Sequence, residues 1–387
     1  MQTELPENET PLSQSPDTTL CIIYSSGTTG LPKGVELTHR NIIAQVTAYR
    51  YMDHVFEVGD SFLCSVAFMH IGGFWSCFCY LGLGCKVVLC DATDVESTLS
   101  AIQEHKPTTA GLYPTTIRQL DQCPNYEDFD TSSLTKIIYG GGSVSVPISD
   151  SVIRKFGLKE IVQVYGMTEL TSCLACSSYL DDLKSVGKPA PFFEIKVVDF
   201  LTRKPLGPNQ QGEVCAKSPA AFKAYLNQPK ATADAYEDGF VRTGDKGYYT
   251  EDGSIFLCGR FKELIKCMDQ QVYPAELEEL LASDPEVRHV IVAGVPHSQY
   301  VEAARAFVVH QRRLTDPLEQ QKEAERLKKL VADRLAHHKQ LHGGLEFLDC
   351  IPESEYGKHA RKFLRERYIH RCHSSDESGN AITSEND

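Results

Sequence analysis

The sequence has no apolar run that approaches the ~18 residues needed to cross a bilayer, although 42% of its 387 residues are hydrophobic. It also lacks an excess of positive charge, because 39 Lys and Arg stand against 52 Asp and Glu, a net charge of −13. A spanning helix is therefore excluded, and bulk binding to nucleic acid or to an anionic membrane is disfavoured. The polar, acidic stretch Met1–Asp17 predicts neither a signal peptide nor a basic transit peptide.

A disulfide framework is also missing, since the 14 cysteines show no regular spacing. In a chain of this length that pattern indicates reduced thiols, and we expect an intracellular protein, cytoplasmic or peroxisomal. Cys173 and Cys176 form a lone Cys-x-x-Cys without a second pair nearby. Buried thiols are the expected explanation for them, in preference to a metal site.

The most informative stretch runs from Tyr24 to His39 and combines glycines, hydroxyls and one lysine, Lys33. Glycines let backbone N–H groups turn toward an anion, while hydroxyls and a lysine add donors that suit phosphate oxygens. An apolar run before it predicts a strand, and Thr38 is a candidate N-cap for a helix that begins near His39. Strand, Gly-rich loop and helix together predict a polyphosphate cradle.

Two other interpretations of this stretch fit its residues less well. A Walker A loop requires Gly-Lys-Ser/Thr, whereas Pro32 precedes Lys33 here and Gly34 follows it, so a P-loop kinase or GTPase is excluded by spacing. A plain Ser/Gly/Thr hairpin needs neither this length nor a lysine between Pro and Gly. The cradle is therefore the preferred hypothesis.

In two segments in the middle of the chain, a predicted strand is followed by polar or Gly-rich residues. Gln163–Glu169 reads Gln-Val-Tyr-Gly-Met-Thr-Glu, in which Glu169 can ligate Mg²⁺ and Thr168 can bond a phosphate. Tyr139–Ser143 contains three consecutive glycines, which let a flat group lie on the backbone. The carboxyl ends of strands are where α/β sheets place ligands. A turn with a helix cap is the simpler alternative in each case.

Three further segments carry candidate side chains. His70 follows an apolar run in Val66–Gly73, where a structural histidine is the ordinary alternative. Asp245 ends Arg242-Thr-Gly-Asp, and its carboxylate can accept both hydroxyls of a ribose diol; a type I turn is the alternative. Pro352–Lys358 ends in Gly-Lys, where a surface lysine is the alternative.

Together these segments resemble the adenylate-forming superfamily of acyl- and aryl-CoA synthetases, 4-coumarate–CoA ligases and beetle luciferases, over about Thr18 to Tyr368. The resemblance implies ATP, Mg²⁺ and coenzyme A as cofactors and a small carboxylic acid as substrate. It places Glu169 at the metal, His70 at the substrate carboxylate, Lys262 at the hinge and Lys266 in the CoA step. Lys358, with Lys33, is implied in catalysis. The implied nucleotide-binding residues are Ser25, Ser26, Gly27, Thr28, Thr29, Gly30, Lys33, Gly140, Gly141, Gly142, Gln163, Tyr165, Gly166, Thr168, Asp245 and Arg260.

The predicted fold is α/β: a layered sheet-and-helix large domain with a small β unit, then a hinged α+β lid. The expected boundaries are a disordered N-terminus 1–18, a large domain 19–259 (α/β part 19–185, β part 186–259), a lid 260–370 and a disordered tail 371–387. Alternating strand-like and helix-like runs predict the α/β part, with Glu160–Tyr165 among the strands and Val95–His105 among the helices. Turn signals around short runs such as Gly247–Thr250 predict the β part, and Leu318–Leu341 predicts a long amphipathic helix.

Two departures from the family pattern keep alternatives open. The family carries a glycine where this chain has Asp269 or Gln270, which bears on the CoA step. The cradle begins at residue 24, so we expect an α/β region that family members carry upstream to be missing and apolar surface to be exposed. The hypotheses are an AMP-forming acyl- or aryl-CoA ligase, a luciferase-like oxygenase on the same scaffold, or a truncated non-catalytic nucleotide-binding pseudoenzyme.

Overall fold

The computed structural model describes residues 15–25, 32–52, 59–90, 94–177, 184–268, 270–352 and 360–379. Backbone contacts divide these residues into two compact units. The first unit takes the described residues up to Gln210, together with Val214–Thr243 and Tyr249–Phe256. The second unit takes Gln211–Glu213, Gly244–Tyr248 and the described residues from Leu257 onward.

The described residues form both helices and strands in each unit. The helices are α1 (His39–Arg50), α2 (Ile71–Gly82), α3 (Val95–His105), α4 (Pro114–Gln122), α5 (Val146–Phe156), α6 (Pro229–Ala235), α7 (Pro274–Ala282), α8 (Pro317–Arg334) and α9 (Ala360–Gly379). The strands up to residue 198 are β1 (Thr19–Ser25), β2 (Lys33–Thr38), β3 (Ser61–Cys64), β4 (Lys86–Leu89), β5 (Thr109–Leu112), β6 (Lys136–Gly140), β7 (Glu160–Met167), β8 (Ser172–Ser177), β9 (Lys188–Pro189) and β10 (Glu194–Val198). The later strands are β11 (Gly212–Lys217), β12 (Ala224–Tyr225), β13 (Tyr236–Glu237), β14 (Phe240–Tyr249), β15 (Ile255–Arg260), β16 (Ile265–Cys267), β17 (Gln270–Val272), β18 (Val287–His297), β19 (Val301–His310) and β20 (Leu345–Phe347).

A seven-stranded sheet with the order β4-β3-β5-β6-β7-β8-β9 organises the first unit. Strands β3 to β7 pair in parallel, while β8 and β9 add antiparallel pairs at one edge. Every residue of β5 is buried, as expected for a strand covered on both faces. Leu99, Ile117 and Val152 of α3, α4 and α5 belong to one buried core with Leu112 and Ile137 of the strands. The predicted α/β class is confirmed.

A smaller sheet, β1-β2-β12, carries the base of the Gly-rich loop. Ser25 pairs with Lys33 in the antiparallel β1–β2 hairpin, so residues 26–32 connect two strands. The expected layout of strand, loop and helix is therefore wrong by one element, since β2 lies between the loop and α1. Thr38 does cap α1, because its side chain accepts from Asn41 N–H at 3.3 Å and the Asn41 side chain accepts from Thr38 N–H at 2.8 Å.

The segment expected to be a β unit forms a five-stranded sheet with the order β10-β11-β14-β13, in which β15 also pairs with β14. Its longest strand, β14, spans ten residues, whereas only Gly247–Thr250 was predicted as a strand. The alternative of a type I turn at Thr243–Asp245 is wrong, because both residues lie inside β14. Partly exposed residues alternate with buried ones along β14, and two of the buried residues, Thr243 and Asp245, are polar. A search for apolar runs therefore misses this strand.

The second unit contains a five-stranded sheet with the order β17-β16-β19-β18 and β20 parallel to β19. Helices α7 and α8 cover it with Leu277, Leu281, Leu327 and Val331, all buried in one core. The predicted long helix Leu318–Leu341 is too long, because α8 ends at Arg334 and Leu335 is extended with φ −121° and ψ 153°. The segment after α8 is bonded to α7, because Lys339 Nζ lies 2.7 Å from Glu276 Oε1.

Both predicted disordered ends need correction where the structure describes them. Residues 15–18 are ordered, with Thr18 N–H bonded to Ser15 O at 2.9 Å and Asp17 paired with Arg40 at 2.7 Å. The tail is helical as far as Gly379 in α9, and Arg367 and Arg371 donate to Glu346 at 2.8 and 2.6 Å. These ion pairs stabilise a helix that composition alone did not predict. Residues 1–14 and 380–387 lie outside the described residues.

The described cysteines are free thiols. Cys173 and Cys176 are both buried in β8, and Cys350 is the exposed one among the cysteines whose side chains the structure describes. No helix in the described part of the chain is long and apolar enough to span a bilayer.

Candidate functional site

The carboxyl ends of β3, β5, β6 and β7 lie at one edge of the first unit's sheet, because these strands are parallel neighbours. Three predicted segments follow strands at this edge: His70 after β3, Gly140–Gly142 at the end of β6 and Thr168–Glu169 after β7. Tyr113, which the sequence did not single out, follows β5 at the same edge. Such an edge is the usual ligand site of an open α/β sheet.

The glycine turn after β6 is shaped by close packing and by one unusual backbone angle. A Cβ on Gly140 would lie 2.9 Å from the carbonyl oxygen of Val164 on β7, and Gly141 has φ +81°. Beside the turn, Tyr139 Oη donates to Gln163 Oε1 at 3.2 Å. Burial raises the pKa of Tyr139 to about 12, so the phenol stays protonated at neutral pH. The amide of Gln163 is thus fixed next to the glycines.

The Tyr-Gly-Met-Thr-Glu segment begins inside β7, which continues to Met167 and not merely to Tyr165 as predicted. Thr168–Leu170 then form a 3₁₀ turn, and the chain returns as β8. A Cβ on Gly166 would lie 1.7 Å from the backbone oxygen of Ser172. Only glycine permits this approach, so the tight return that presents Thr168 and Glu169 depends on it.

Glu169 is buried, and its side chain is held by a tyrosine from the smaller sheet. Tyr225 Oη donates to Glu169 Oε1 at 2.8 Å. The ring of Tyr225 also lies under the ammonium of Lys33, whose Nζ is 4.6 Å from the ring centroid. One side chain thus contacts the proposed metal ligand and the lysine at the base of the Gly-rich loop. Tyr225 lies outside every segment that the sequence singled out.

The backbone around Glu169 is also tied to the smaller sheet and its connections. Phe222 N–H donates to Glu169 O at 2.8 Å, and Thr171 Oγ1 donates to Ala220 O at 2.6 Å. From α1, Gln45 Nε2 donates to the carbonyl of Leu170 at 3.0 Å. Because backbone and side chain are both held, the carboxylate of Glu169 has a defined position.

His70 has a structural contact that supports the simpler alternative for it. It is the N-cap of α2, and its Nδ1 accepts from Gly72 N–H at 3.1 Å. With Nδ1 as acceptor, the neutral ring carries its proton on Nε2. The Tyr113 hydroxyl accepts from Ala67 N–H at 3.1 Å and steadies the same turn. A capping role and a substrate-facing Nε2–H are compatible with each other.

Several predicted site residues lie outside the described residues. Ser26, Gly27, Thr28, Thr29 and Gly30 fall in the segment between Ser25 and Lys33, which the structure places only by its two ends. Lys358 and Asp269 also lie outside, and of Lys262 only the backbone is described, in a 3₁₀ turn at Phe261–Glu263. Their roles stay predictions.

In the second unit, the structure brings the two predicted ribose residues together. Arg260 Nε donates to Asp245 Oδ1 at 3.0 Å, from the end of β15 to β14. The side chain of Asp245 is 8% exposed, whereas that of Arg260 is 44% exposed. A buried carboxylate that is oriented by a half-exposed guanidinium can accept two hydroxyl hydrogens from a diol.

Lys266, assigned by resemblance to the CoA step, lies in the β16–β17 hairpin of the second unit. Its N–H donates to Glu302 Oε2 at 3.1 Å and its side chain is exposed. Cys267 pairs with Gln270, so Met268 and Asp269 make the connection, and Met268 has the left-handed angle φ +53°. That angle is unfavourable for a non-glycine residue. Met268 lies just before Asp269 and Gln270, the positions at which the family pattern has a glycine.

The donor set around Glu169 fits Mg²⁺. The ion prefers oxygen ligands and usually takes one or two carboxylates, with water and phosphate completing its shell. Glu169 offers a carboxylate with one oxygen bonded to Tyr225, beside the hydroxyl of Thr168. In the described ranges no group of three or more His, Cys, Asp and Glu could hold a metal alone, as expected where substrate phosphates share the ion.

Comparisons with known proteins identify the family of this chain. The model of the AMP-binding enzyme family matches residues 2–226, and that of the AMP-binding enzyme C-terminal domain matches residues 276–358. Luciferin 4-monooxygenase of Nipponoluciola cruciata is 38% identical over 352 residues, covering 89% of this chain and 63% of that protein. 4-Coumarate–CoA ligase of Pinus taeda is 32% identical over 377 residues, covering 94% of this chain and 68% of that enzyme.

A solved structure is similar as well. O-succinylbenzoate coenzyme A synthetase from Bacillus subtilis, in complex with ATP and magnesium ion, matches with a TM-score of 0.76 and 28% identity, over 90% of this chain and 70% of that chain. The chain therefore belongs to the AMP-binding enzyme family, the adenylate-forming superfamily, and the predicted resemblance is confirmed. It spans 63% of the length of the luciferase.

Proposed function

We propose that this chain activates a small carboxylic acid with ATP and then transfers the acyl group to coenzyme A. The observation that carries this proposal is the carboxyl edge of the first unit's sheet. There, the Gly140–Gly142 turn and the Thr168–Glu169 turn lie at neighbouring strand ends, and Tyr225 links Glu169 to Lys33. Within the second unit, the pair of Asp245 and Arg260 offers a buried carboxylate that suits a ribose diol.

In the first half-reaction, a carboxylate oxygen attacks the α-phosphorus of ATP. The bond from that phosphorus to the bridging oxygen breaks, and pyrophosphate leaves with its electron pair. We assign the β- and γ-phosphates to Ser25, Lys33 and the segment Ser26–Gly30, and the α-phosphate to Thr168. When bound at Glu169, Mg²⁺ supplies positive charge beside the phosphate oxygens. Catalysis here is mainly the stabilisation of charge by groups already in position.

Within the first unit, Gly140, Gly141 and Gly142 with Gln163, Tyr165 and Gly166 would receive the base. Within the second unit, Asp245 with Arg260 would receive a ribose. His70 Nε2–H would donate to the substrate carboxylate, and Lys358 would contact both that carboxylate and the α-phosphate. In the second half-reaction, the thiolate of CoA attacks the acyl carbon and AMP leaves, with Lys262 at the hinge and Lys266 beside the thioester-forming surface.

A second candidate is a luciferase-like oxygenase, favoured by the 38% identity to a luciferin 4-monooxygenase. It would share the adenylation step and differ after it. The test is the exchange of labelled pyrophosphate into ATP with a panel of aliphatic and aromatic acids, followed by CoA addition. Acid-dependent exchange with thioester formation supports the ligase, whereas exchange with light emission from luciferin supports the oxygenase. Absence of exchange with every acid would indicate a non-catalytic protein.

Asp245→Asn should weaken binding of ATP and AMP together by about 1.5–3 kcal/mol, the worth of hydrogen bonds to a charged group. Both ligands carry the ribose, so both should be affected equally in calorimetric titrations. The Asn amide keeps the size of the buried side chain but cannot accept from two hydroxyls and Arg260 in the same way. Unchanged affinity for both nucleotides would remove Asp245 from the site.

Asp238→Asn is the matched control, because it makes the same charge change just before β14. The side chain of Asp238 is 86% exposed, and its contact with Lys196 is a long one at 3.8 Å. Asn also tolerates the left-handed angle of this residue, φ +51°. An equal loss of affinity in this control would mean that the effect is one of net charge and not of ribose binding.

A further inference from the structure

We propose that Tyr225 is a positioning residue that holds Glu169 for the metal ion with its hydroxyl and Lys33 for the phosphates with its ring. The inference rests on the proposed function and extends it to a residue outside the Gly-rich loop and the Thr168–Glu169 turn. Two contacts carry it: Oη to Glu169 Oε1 at 2.8 Å, and Lys33 Nζ to the ring centroid at 4.6 Å.

The hydrogen bond from Tyr225 occupies one of the two carboxylate oxygens of Glu169. Oε1 accepts from Tyr225, while Oε2 has no hydrogen bond to another residue in the described part of the chain. Glu169 is 7% exposed, so its side chain cannot move freely. A hydrogen bond to one oxygen of a buried carboxylate fixes its plane and leaves the other oxygen for a cation. This is the arrangement by which outer partners orient metal ligands.

The contact with Lys33 uses the face of the same ring. The quadrupole of the ring attracts the ammonium without consuming all of its N–H donors. Among the described residues Lys33 has no carboxylate partner, so its charge is not neutralised there. The lysine is thus held at the base of the Gly-rich loop with donors left for phosphate oxygens.

Tyr225 itself is rigid and remains a donor. It pairs with Val35 across β12 and β2, its N–H donates to Thr232 Oγ1 at 2.9 Å, and its ring packs on Phe222 at 4.8 Å. The hydroxyl of Tyr225 donates to Glu169 and the ring of the same side chain contacts Lys33, so one aromatic side chain holds both neighbours.

The two contacts can be separated by substitution. Tyr225→Phe removes the hydroxyl and keeps the ring, so it should release Glu169 but not Lys33. Tyr225→Leu removes both. We expect Tyr225→Phe to lose about 10–100-fold in ATP affinity when Mg²⁺ is present, the usual effect of losing an outer partner of a metal ligand. Its ATP affinity in EDTA should equal that of the wild type, whereas Tyr225→Leu should be weaker in EDTA as well.

The measurement is calorimetric titration of ATP in Mg²⁺ and in EDTA, with Mn²⁺ binding in the presence of ATP followed by electron paramagnetic resonance. Tyr236→Phe is the matched control, because Tyr236 stacks on the same Phe222 and donates to its carbonyl oxygen without touching Glu169. Thermal melts of all variants report folding. Tyr225→Phe and Tyr225→Leu should both raise the Mn²⁺ concentration needed for half-saturation, whereas Tyr236→Phe should not.

The outcomes separate this inference from the proposed function. If the wild type binds ATP more tightly with Mg²⁺ and Tyr225→Phe does the same, the role of Tyr225 is overturned and the proposed function stands. An equal loss in Mg²⁺ and in EDTA also overturns it, since the hydroxyl would then act on the pocket as a whole. A wild type without detectable ATP binding, or with binding indifferent to metal, overturns the proposed function and this inference with it.

Discussion

Lys358→Ala is expected to slow acyl-adenylate formation by about 10²–10³-fold, the effect of removing one donor to developing charge in a transition state. Attack of CoA on preformed acyl-adenylate should survive, because Lys358 is assigned to the adenylation step alone. The two half-reactions are measured separately, by pyrophosphate exchange and by thioester formation from synthetic acyl-adenylate. A difference between them is the signature of a catalytic residue, since misfolding would depress both.

The chain just after Lys358 is firmly held, which makes a specific role for this residue physically reasonable. Arg361 Nε donates to Val292 O at 2.9 Å, and its Nη2 donates to Glu278 Oε1 at 2.8 Å. Arg361 also pairs with Glu263, in the 3₁₀ turn that contains the proposed hinge residue Lys262. The Pro352–Lys358 segment therefore leads into an anchored helix of the second unit.

Lys362→Ala is the control for this prediction. Lys362 lies on α9 with a side chain 65% exposed, and its pair with Glu366 at 3.8 Å is of the surface kind that contributes little to stability. The control removes the same charge four residues away and should leave both half-reactions unchanged. Equal losses for Lys358→Ala in the two half-reactions, or a matching loss in Lys362→Ala, would contradict the assignment.

Gly166→Ala is expected to destabilise the first unit by about 3 kcal/mol or more, at the upper end of what overpacking costs. The added Cβ would lie 1.7 Å from Ser172 O, a backbone atom that no side-chain rotation can move aside. The β7–β8 return must open, which displaces Thr168 and Glu169. We therefore expect pyrophosphate exchange to fall together with stability.

The chain offers a direct reporter for this experiment. Trp75 is the one tryptophan of the sequence and is fully buried in α2 of the first unit, so its fluorescence during urea unfolding reports that unit. Gly207→Ala is the control, because a Cβ there meets nothing within 4 Å. If Gly166→Ala unfolds at the same urea concentration as Gly207→Ala and the wild type, the close approach does not constrain the fold.

Much of the first unit could be predicted because its signals are local. Val95–His105 was predicted as a helix with the bounds that α3 has, and Asp94 caps it by accepting from Ser97 N–H at 2.7 Å. Thr38 was predicted as an N-cap for the same reason: a short polar side chain satisfies helix N–H groups within a few residues. Apolar runs predicted the parallel strands. Because α/β sheets bind ligands at the carboxyl ends of such strands, the glycine turn and Glu169 could then be predicted as parts of the site.

What the sequence did not reveal depends on contacts distant along the chain. Tyr225 lies 56 residues from Glu169 and has no motif of its own. The pairing of β12 with β2 and the bond from Phe222 N–H to Glu169 O bring the two side chains together. The first part of β14 was missed because Thr243 and Asp245 place polar side chains at buried positions. Helix α9 was missed because its composition is that of a disordered tail, while its ion pairs reach back to Glu346.

Cys350 provides a natural labelling site for a fluorescent dye. Cys350 is exposed, whereas the other cysteines with described side chains are buried or half-buried. Among the cysteines with described side chains, a maleimide dye added at low stoichiometry should therefore modify Cys350 first, two residues before the Pro352–Lys358 segment begins. Emission from that dye would then follow, in real time and without engineering a site, how the surroundings of the segment change as ATP, the acid and CoA are added in turn.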